Sequence, residues 1–518
     1  MRPKNFDANR LPSAWLALVA AIGLAFAGAS SAQPMPGPDT MVVATPAVPN
    51  ELDPDFGESS VKGNIIRQVL DTPVWYDEDG VLHGWIFESW ELLDDNRRWR
   101  FSIREGLEFD SGTPVNAETV KYTFDRMVDE DMLSQGADNQ FPLRVGLVDV
   151  EIVDEHTLDI VTEDANAVTL TRLYVVYLLD PDFYEDASLA DAALTARGSG
   201  PYRIVTFVPD DYVVFERNED YWLGPPEIER LVVRAVPERS SRVAMLETGE
   251  VDIALDLAPD DIPIVEGIPN VELQATVGSR RIGLAFNQQE ERFQDKRVRQ
   301  AFNYAVDFDE INDALLYGLG GRATTYRGTD YCANPELEPY SYDPELAVQL
   351  LEDAGYDMSE EVVLNVASNA GYRIQVVEAM ASQLRSLGIA ATANVIERSI
   401  YVDMVGNRDF DGMIEVGLGG RGVPPQDAGV FLFGAFWNPT SWEDDAAHEF
   451  NDLLAEIQAA FDEDVVCDLT KELEAIAYEH APWLFSHHSL EIAGVHERVD
   501  WSPRIDSHLF WRTAGWAD

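Results

Sequence analysis

Carboxylates are by number the main groups in this sequence that could do chemistry, since its 518 residues include 93 Asp and Glu but only 8 His and 2 Cys. Carboxylate pairs of the kind that hydrolyse glycosides therefore occur throughout the chain and single out no site. The sequence has no Gly-x-Ser-x-Gly turn, no His-Glu-x-x-His helix and no recognisable cysteine nucleophile. We expect no catalytic residues, and a secreted hydrolase acting on glycosides or esters remains only an alternative.

A glycine-rich run resembles a phosphate-binding loop at first sight. It reads Gly417-Leu418-Gly419-Gly420-Arg421-Gly422. A phosphate loop needs a Lys-Ser/Thr pair after its glycines, and this run has none. We therefore expect no nucleotide and no other cofactor.

The two cysteines, Cys332 and Cys467, suggest one bridge if the chain is folded in an oxidising compartment. Cys332 lies in a loop rich in Pro, Asn and Gly, and Cys467 lies near the start of a predicted helix. Their spacing leaves a disulfide and two separate thiols equally open. Metal binding by two isolated cysteines is less favoured than either, so no metal ligands are predicted.

The N-terminus indicates where the protein works. Arg2, Lys4 and Arg10 precede an uncharged run from Leu11 to Ala29, and Ser30-Ser31-Ala32 supplies the small residues of a cleavage site. Residues 1–32 are therefore predicted to be a signal peptide that is cleaved near Ala32. A membrane anchor is the less favoured alternative, because the strongly apolar part is short. The mature protein is expected in the periplasm.

Composition narrows the possible partners. The formal net charge is −56, and hydrophobic residues make up 46% of the chain. So many apolar residues can build sizeable cores, which argues against an acidic disordered protein. Nucleic acids and anionic membranes need basic patches, so neither is an expected partner. A surface this acidic is typical of a halophile, because salt screens its self-repulsion.

The pattern of residues predicts alternating strands and helices. Gly198-Ser199-Gly200-Pro201 is predicted to form a tight turn, and the alternation of Tyr202 and Ile204, then Val213 and Phe215, predicts a hairpin. Trp99, Phe101 and Ile103 alternate as in a strand. Asn116 is a suitable helix cap, and Asp343 is predicted to cap a helix that begins at Pro344. Val298, Ala301, Phe302 and Ala305 follow a helical spacing.

Three motifs occur in a characteristic order: Gly198-Ser199-Gly200-Pro201-Tyr202-Arg203, then Glu216 to Trp222 (ERNEDYW), then Leu246 to Ile253 (LETGEVDI). This trio resembles the solute-binding proteins of ABC importers, specifically the large peptide/nickel-binding family, family 5. Two further stretches, Trp99 to Val115 and Val298 to Asp307, resemble other signatures of that family. The signatures are interpreted as packing elements that identify the fold without marking the site.

The resemblance implies an α/β architecture with the two-lobed periplasmic binding protein fold, type II, of the large cluster with an extra subdomain. Lobe I is expected to comprise residues 39–285 plus 488–518, with an insertion subdomain at about 75–180. Lobe II is expected to comprise residues 286–487. The lobes are joined by crossover strands and close over a solute by a hinge motion.

The implied function is the extracytoplasmic solute-binding component of an ABC importer. Such a protein captures a small solute between its lobes and delivers it to permease subunits in the inner membrane. We expect a monomer and a solute that is anionic or an amino-acid or peptide conjugate. A periplasmic chaperone or sensor partner is a further alternative.

A departure from the family pattern suggests the charge of the solute. Peptide-binding members carry a tryptophan and an amine-binding acid before an Asp-Pro, whereas this chain has Leu418, Arg421 beside Gly420, and Pro424-Pro425. A cation there would repel an ammonium and could grip a carboxylate or phosphate through a bidentate fork. A solvated loop arginine is the competing interpretation of Arg421.

Other candidate ligand contacts follow from the resemblance. They are Asp53, in a bend beside the cleft; Arg280, on a strand leading into the cleft; Tyr372 and Arg373, in a loop that contacts solute in relatives; and Trp437, which could stack on a ligand. A structural ion pair is an equally good interpretation of Arg280. Nickel capture by His487 and His488 is conceivable, but the family commonly has polar residues there for hinge packing.

Overall fold

The computed structural model describes residues 36–57, 59–77, 81–93, 96–325, 332–418 and 445–517. The predicted signal peptide lies outside these residues. The described strands are β1 (Thr40–Thr45), β2 (Val74–Tyr76), β3 (Leu82–Gly84), β4 (Phe87–Leu93), β5 (Arg98–Ile103), β6 (Leu147–Asp154), β7 (Thr157–Thr162), β8 (Tyr202–Val208), β9 (Tyr212–Arg217), β10 (Arg230–Ala235), β11 (Ile253–Ala254), β12 (Val271–Phe286), β13 (Val362–Ala367), β14 (Ala391–Ile396), β15 (Met413–Leu418), β16 (Trp483–His496), β17 (Val499–Asp500) and β18 (Gly515–Trp516).

Helices alternate with these strands. They are α1 (Ser60–Ile66), α2 (Ala117–Val128), α3 (Glu130–Ser134), α4 (Phe141–Val145), α5 (Val168–Arg172), α6 (Pro181–Tyr184), α7 (Leu189–Ala192), α8 (Arg239–Glu247), α9 (Ile262–Val265), α10 (Lys296–Tyr304), α11 (Phe308–Leu315), α12 (Pro344–Asp353), α13 (Arg373–Ser386), α14 (Arg398–Asn407), α15 (Asp445–Ala459) and α16 (Glu463–His480). Among the described residues, no helix is both long and apolar enough to cross a bilayer.

One ten-stranded sheet organises the molecule, in the order β14-β13-β15-β12-β16-β11-β1-β10-β9-β8. Its two central strands are the longest: β12 has 16 residues and β16 has 14, and they pair antiparallel. β12 also pairs with β15, and β16 pairs with β11. These two strands therefore join the N-terminal strands of the sheet to the C-terminal ones, as crossover strands are expected to do.

Separate buried clusters fill the space around the sheet. One contains Tyr202 and Trp511 and so combines the N-terminal region with the C-terminal tail. Another contains Phe450 and Trp483 and belongs to the C-terminal half. A third surrounds Phe101, within the four-stranded sheet β4-β5-β7-β6. Separate clusters are typical of a chain too long for one core. The exact lobe boundaries near residues 285 and 487, and the insertion at about 75–180, remain predictions.

Several local predictions are confirmed. β8 and β9 pair antiparallel with Ile204 opposite Phe215, so the alternation did indicate a hairpin. Asn116 caps α2 by accepting hydrogen bonds from two backbone N–H groups of its first turn. Asp343 caps α12, which begins at Pro344. Caps of this kind satisfy N–H groups that have no partner within the helix.

Cys332 and Cys467 form a disulfide, with their Cα atoms 4.6 Å apart across 135 residues of sequence. The disulfide connects the loop that contains Cys332 to the first turns of α16. Glu474, on the same helix, accepts a hydrogen bond from the backbone N–H of Asn334. The loop is therefore held to α16 by the disulfide and by hydrogen bonds.

Candidate functional site

An open cavity is lined by residues from several parts of the chain. Gln68 and Asp71 follow α1, Trp75 lies on β2, and His508 and Arg512 belong to the C-terminal tail. Small-molecule sites commonly combine apolar walls with a few polar groups, and this cavity has that composition.

The back of the cavity is organised around the buried carboxylate of Asp71. Its Oδ1 accepts hydrogen bonds from Trp85 Nε1 at 2.7 Å and from the Tyr221 hydroxyl at 3.2 Å. Its Oδ2 accepts from Ser199 Oγ at 2.9 Å. Burial raises the pKa of Asp71 to about 6, although the three donors oppose the shift. Asp71 therefore fixes three side chains from distant parts of the sequence.

Two of those donors come from the sequence motifs. Ser199 lies in the Gly198-Ser199-Gly200 turn, and Tyr221 lies near the end of the run that begins at Glu216. A Cβ atom on Gly200 would lie 2.5 Å from the carbonyl carbon of Val69, so only glycine allows the turn to approach this closely. The interpretation of the motifs as packing elements was incomplete, because they also support the wall of the cavity.

Aromatic rings form the sides of the cavity. Trp75 packs against Trp85 with ring centroids 5.2 Å apart and against Phe510 at 6.1 Å. Tyr76 meets Tyr174 edge-to-face at 5.3 Å. These arrangements are the tilted and edge-on contacts that aromatic pairs prefer, and they leave little freedom to the rings.

Arginines stack on the same rings. The Arg512 guanidinium lies 4.6 Å from the ring centroid of Trp85 and 5.1 Å from that of Trp75. Phe510 contacts two further guanidinium groups, with Arg67 at 5.2 Å and Arg504 at 5.0 Å. Cations above ring faces gain from the ring quadrupole, particularly where water is excluded. Arg67 and Arg512 therefore bring positive charge to the cavity beside the carboxylate of Asp71, whereas Arg504 is paired with Asp506.

The pKa of the His508 imidazole is lowered by burial and by neighbouring arginines. Desolvation lowers its pKa to about 3, and the charges of Arg67, Arg504 and Arg280 lower it further, against the opposing effect of Asp506. His508 is therefore neutral at physiological pH. Arg280, one of the predicted site residues, lies on the crossover strand β12 and is not among the residues that line the cavity.

The charge of Arg280 acts on two carboxylates of different elements, Glu415 on β15 and Glu491 on β16. Burial raises the pKa of both carboxyl groups, and the charge of Arg280 opposes that rise in each. The side chain of Arg280 is exposed, and within the described residues it has no hydrogen bond or ion pair. The structural ion pair considered for Arg280 is therefore not formed with any of the described residues.

Tyr372 and Arg373 lie at the start of α13 and contact β16 and β15, respectively. Arg373 Nη1 forms an ion pair with the buried Glu415 carboxylate, and a Cβ on Gly417 would lie 2.9 Å from Arg280 Cδ and 3.5 Å from Arg373 Nη1. The structure therefore brings Arg280 and Arg373 together. Tyr372 Oη accepts a hydrogen bond from the Leu490 backbone N–H at 3.2 Å, and burial raises its pKa to about 12.

Asp53 is placed differently from the other candidates. Its side chain is buried, and both carboxylate oxygens accept hydrogen bonds from Arg126, on α2. Arg126 also pairs with Asp55, and Lys62 Nζ donates to the Asp53 carbonyl oxygen at 2.7 Å. With its oxygens engaged in this network, Asp53 has no carboxylate oxygen facing a solute. We do not retain it in the proposed site.

Gly420, Arg421 and Trp437 lie outside the described residues, so their predicted roles stay predictions. His487 is fully buried, with Nδ1 2.8 Å from Ser486 Oγ and its ring stacked on Phe308 at 5.4 Å. Desolvation lowers the pKa of His487 to about 3. In the described part of the chain, no group of three or more His, Cys, Asp or Glu is arranged to hold a metal ion.

Sequence reasoning missed the cavity residues Asp71, Trp85 and Arg512. Asp71 and its partners Ser199 and Tyr221 are 128 and 150 residues apart in sequence, so spacing alone could not pair them. One signal was present: polar Ser and Tyr within two of the motifs, where packing alone would not need hydroxyl groups. Arg512 had no comparable signal, because it is a single arginine in an irregular tail.

Comparisons with known proteins agree with the architecture. The family model described as bacterial extracellular solute-binding proteins, family 5 middle, matches residues 81–439. Heme-binding protein A of Haemophilus influenzae is 28% identical over 445 residues, covering 80% of this chain and 80% of that protein. Glutathione-binding protein GsiB of Salmonella typhi is 24% identical over 500 residues, covering 93% and 95%.

Solved structures show the same fold. NikA from Brucella suis in complex with Fe(III)-EDTA matches with a TM-score of 0.81 at 23% identity, covering 92% of this chain and 99% of that chain. DppA from Helicobacter pylori in complex with the peptide STSA matches with a TM-score of 0.76 at 20% identity, covering 92% and 98%. The predicted two-lobed α/β fold is confirmed.

Proposed function

This chain belongs to the bacterial extracellular solute-binding proteins of family 5, and from that premise we propose that it captures an anionic solute for an ABC importer. Binding a solute and passing it to an ABC permease is the family's role. The anionic character of the solute and its mode of binding are our proposal. No step of this function makes or breaks a covalent bond.

One observation supports the anionic solute above all others. In a chain of net charge −56, the guanidinium groups of Arg67, Arg504 and Arg512 stack on the rings around one cavity. Arg67 donates to the Gly63 carbonyl oxygen and to the Tyr177 hydroxyl, and within the described residues it has no carboxylate partner. Positive charge concentrated where the chain average is negative favours a carboxylate or phosphate ligand.

The aromatic walls of the cavity also restrict the chemistry of the part of the solute that is not anionic. Trp75, Tyr76, Tyr174 and Phe510 offer ring surface beside the arginines. A solute that combines an anionic group with apolar or amide surface suits such a wall, as amino-acid and peptide conjugates do. Glutathione, named for one group of relatives, is a conjugate of this type and carries two carboxylates at neutral pH.

Closure requires that the solute contact both lobes, because a ligand with equal affinity for the open and closed forms shifts no population. The cavity supplies contacts from the predicted lobe I. Arg373, at the start of α13 in the predicted lobe II, is the candidate contact on the opposite side, and Arg280 on the crossover strand β12 lies beside it at Gly417. We propose that these two arginines meet the anionic solute when the lobes close.

The cellular setting follows from the same premise. We propose that the chain is exported with cleavage near Ala32, works in the periplasm as a monomer, and docks on permease subunits of the inner membrane. The proposed function needs no cofactor.

Calorimetry with paired ligands tests the anionic solute. Reduced glutathione, a dipeptide and citrate are titrated into the protein, each beside its carboxyl ester, at constant ionic strength. We expect at least one acid to bind and its ester to bind at least tenfold more weakly. Equal affinities for every acid and ester pair would contradict the proposal.

Arg421 provides a second test, on the loop outside the described residues. If Arg421 pairs with the anionic group, Arg421→Ala should weaken binding by roughly 2 to 5 kcal/mol, which is the typical cost of leaving a buried charge without its partner. The unfolding midpoint should barely change. A variant that binds as tightly as the parent would identify Arg421 as a solvated loop residue.

A further inference from the structure

The C-terminal tail carries a guanidinium group, that of Arg512, whose hydrogen-bonding capacity is not used by the described part of the chain. Within the described residues, no hydrogen bond or ion pair engages the side chain of Arg512. An arginine presents five N–H donors in a planar fork that matches a carboxylate or phosphate. Arg512 lines the cavity, so these donors are available to a bound molecule.

The position of Arg512 is nevertheless fixed. Its guanidinium lies over the indole of Trp85 at 4.6 Å and over that of Trp75 at 5.1 Å. The indole of Trp85 is itself held by its Nε1–H, which donates to Asp71 at 2.7 Å. Asp71 in turn accepts hydrogen bonds from Ser199 and Tyr221. A chain of contacts therefore runs from the buried carboxylate through Trp85 to the cation.

The backbone that carries Arg512 is anchored as well. The preceding residue, Trp511, is completely buried and packs against Trp501 with ring centroids 5.3 Å apart. The Trp511 backbone N–H donates to Gln68 Oε1 at 3.2 Å. Beyond Arg512, Gly515–Trp516 pairs with Val499–Asp500. The tail is thus tied on both sides of Arg512, which limits the entropy lost when a ligand binds to it.

The charged groups around Arg512 indicate which kind of ligand its guanidinium binds. Burial lowers the pKa of Arg512, and the charge of Asp71 opposes that lowering. The oxygens of Asp71, however, are occupied by Trp85, Ser199 and Tyr221. Arg504, which acts on Arg512 as a second cation, forms its own ion pair with Asp506. The fork of Arg512 is left to an external oxyanion.

We propose that Arg512 is the specificity-determining residue that binds the oxyanion of the solute, and that Asp71 is a positioning residue acting through Trp85. This inference rests on the proposed function, because it assumes that an anionic solute enters the cavity. A carboxylate or a phosphate ester fits the fork equally well. The loop arginine Arg421 is not required for this contact.

The test compares three variants with the parent protein. Arg512→Gln removes the charge, and Arg512→Lys keeps the charge but loses the bidentate fork. Arg197→Gln is the matched control, because Arg197 stacks on Phe183 at 5.6 Å without lining the cavity. Citrate, reduced glutathione and inorganic phosphate are titrated into each protein by calorimetry at constant ionic strength.

At least one of the three anions should bind the parent, and Arg512→Gln should bind it at least tenfold more weakly. Arg512→Lys should fall between them, and Arg197→Gln should match the parent. Unfolding midpoints measured for the same samples show whether the variants are folded. The conservative Arg512→Lys variant keeps the test valid if Arg512→Gln is unstable.

Two results would overturn the inference in different ways. If the parent binds an anion and folded Arg512→Gln binds it equally well, Arg512 is not the contact and the proposed function stands. If the parent binds none of the three anions, or binds the carboxyl esters of citrate and glutathione as tightly as the acids, the proposed function fails together with the inference.

Discussion

Asp71 places a negative charge in the wall of a cavity that is otherwise lined by rings and cations. Burial raises its pKa from 3.8 to about 6. The folded protein therefore holds this proton to a higher pH than the unfolded chain does. By linkage, raising the pH from about 4 to 6 lowers the contribution of Asp71 to the free energy of unfolding by up to about 3 kcal/mol.

Asp71→Asn should remove this component of the pH dependence. The remaining carboxylates are shared by both proteins, so the difference between their unfolding free energies isolates Asp71. As pH rises from about 4 to 6, the free energy of unfolding of the variant should increase relative to that of the parent, and the difference should stay constant above about pH 7. Denaturant unfolding at fixed ionic strength measures this difference. A difference that does not vary with pH would show that the pKa of Asp71 is not raised.

Asp53 shows how a carboxylate near a cleft can be structural. Its ion pair with Arg126 joins the N-terminal segment to α2, and it is almost completely buried. Asp53→Asn weakens two charge-assisted hydrogen bonds to Arg126, which keeps Asp55 as a partner, so the substitution should lower the free energy of unfolding by about 2 kcal/mol. The affinity for the solute should not change.

Asp125→Asn is the control for this prediction. Asp125 lies on the same helix and pairs with Lys121 at 2.7 Å, but its side chain is exposed. Exposed pairs contribute little, so this variant should change the free energy of unfolding by less than about 1 kcal/mol. Equal effects of the two substitutions in denaturant unfolding would contradict the assigned role of Asp53.

At the scale of elements, the disulfide joins a loop to α16 across 135 residues. A bridge that closes so long a loop restricts the unfolded chain, and in the chain-entropy model it contributes on the order of 4 to 5 kcal/mol. Replacing both Cys332 and Cys467 by Ser should lower the free energy of unfolding by a comparable amount. Thiol titration of the denatured, unreduced parent should detect no free thiol, and two thiols per chain would refute the bridge.

Elements set by local patterns could be predicted from the sequence. The alternation of Tyr202, Ile204, Val213 and Phe215 was sufficient for the β8–β9 hairpin, because a strand buried on one face repeats every two residues. The capping residues Asn116 and Asp343 were sufficient to predict where α2 and α12 begin. In each case the determining residues lie within a few positions of one another.

The cavity could not be predicted in the same way. Asp71 meets Ser199 and Tyr221 only because the tertiary fold brings three segments together. Arg512 depends on an anchor, Trp511, whose burial no local pattern indicates. Arg280 and Arg373 were identified through resemblance to a family, and the structure brings them together at Gly417. Long-range contacts of single polar residues leave no periodic trace in the sequence.

At the scale of the whole molecule, 93 acidic residues against 37 Lys and Arg produce strong repulsion between like charges in the folded state. Salt at about 1 M shortens the Debye length to roughly 3 Å and screens that repulsion. The thermal midpoint should therefore rise steeply as NaCl increases from low to molar concentration. KCl should act equally, since screening depends on ionic strength. A melting series that is flat across this range would contradict the halophilic interpretation.

The central claim is that this two-lobed protein carries an anionic solute, and mass spectrometry tests it most directly. The protein is purified without unfolding and then denatured, and the released molecule is identified. We predict a small molecule with at least one carboxylate or phosphate group, present in the parent and depleted in Arg512→Gln. A neutral or cationic solute recovered in stoichiometric amount would contradict the claim.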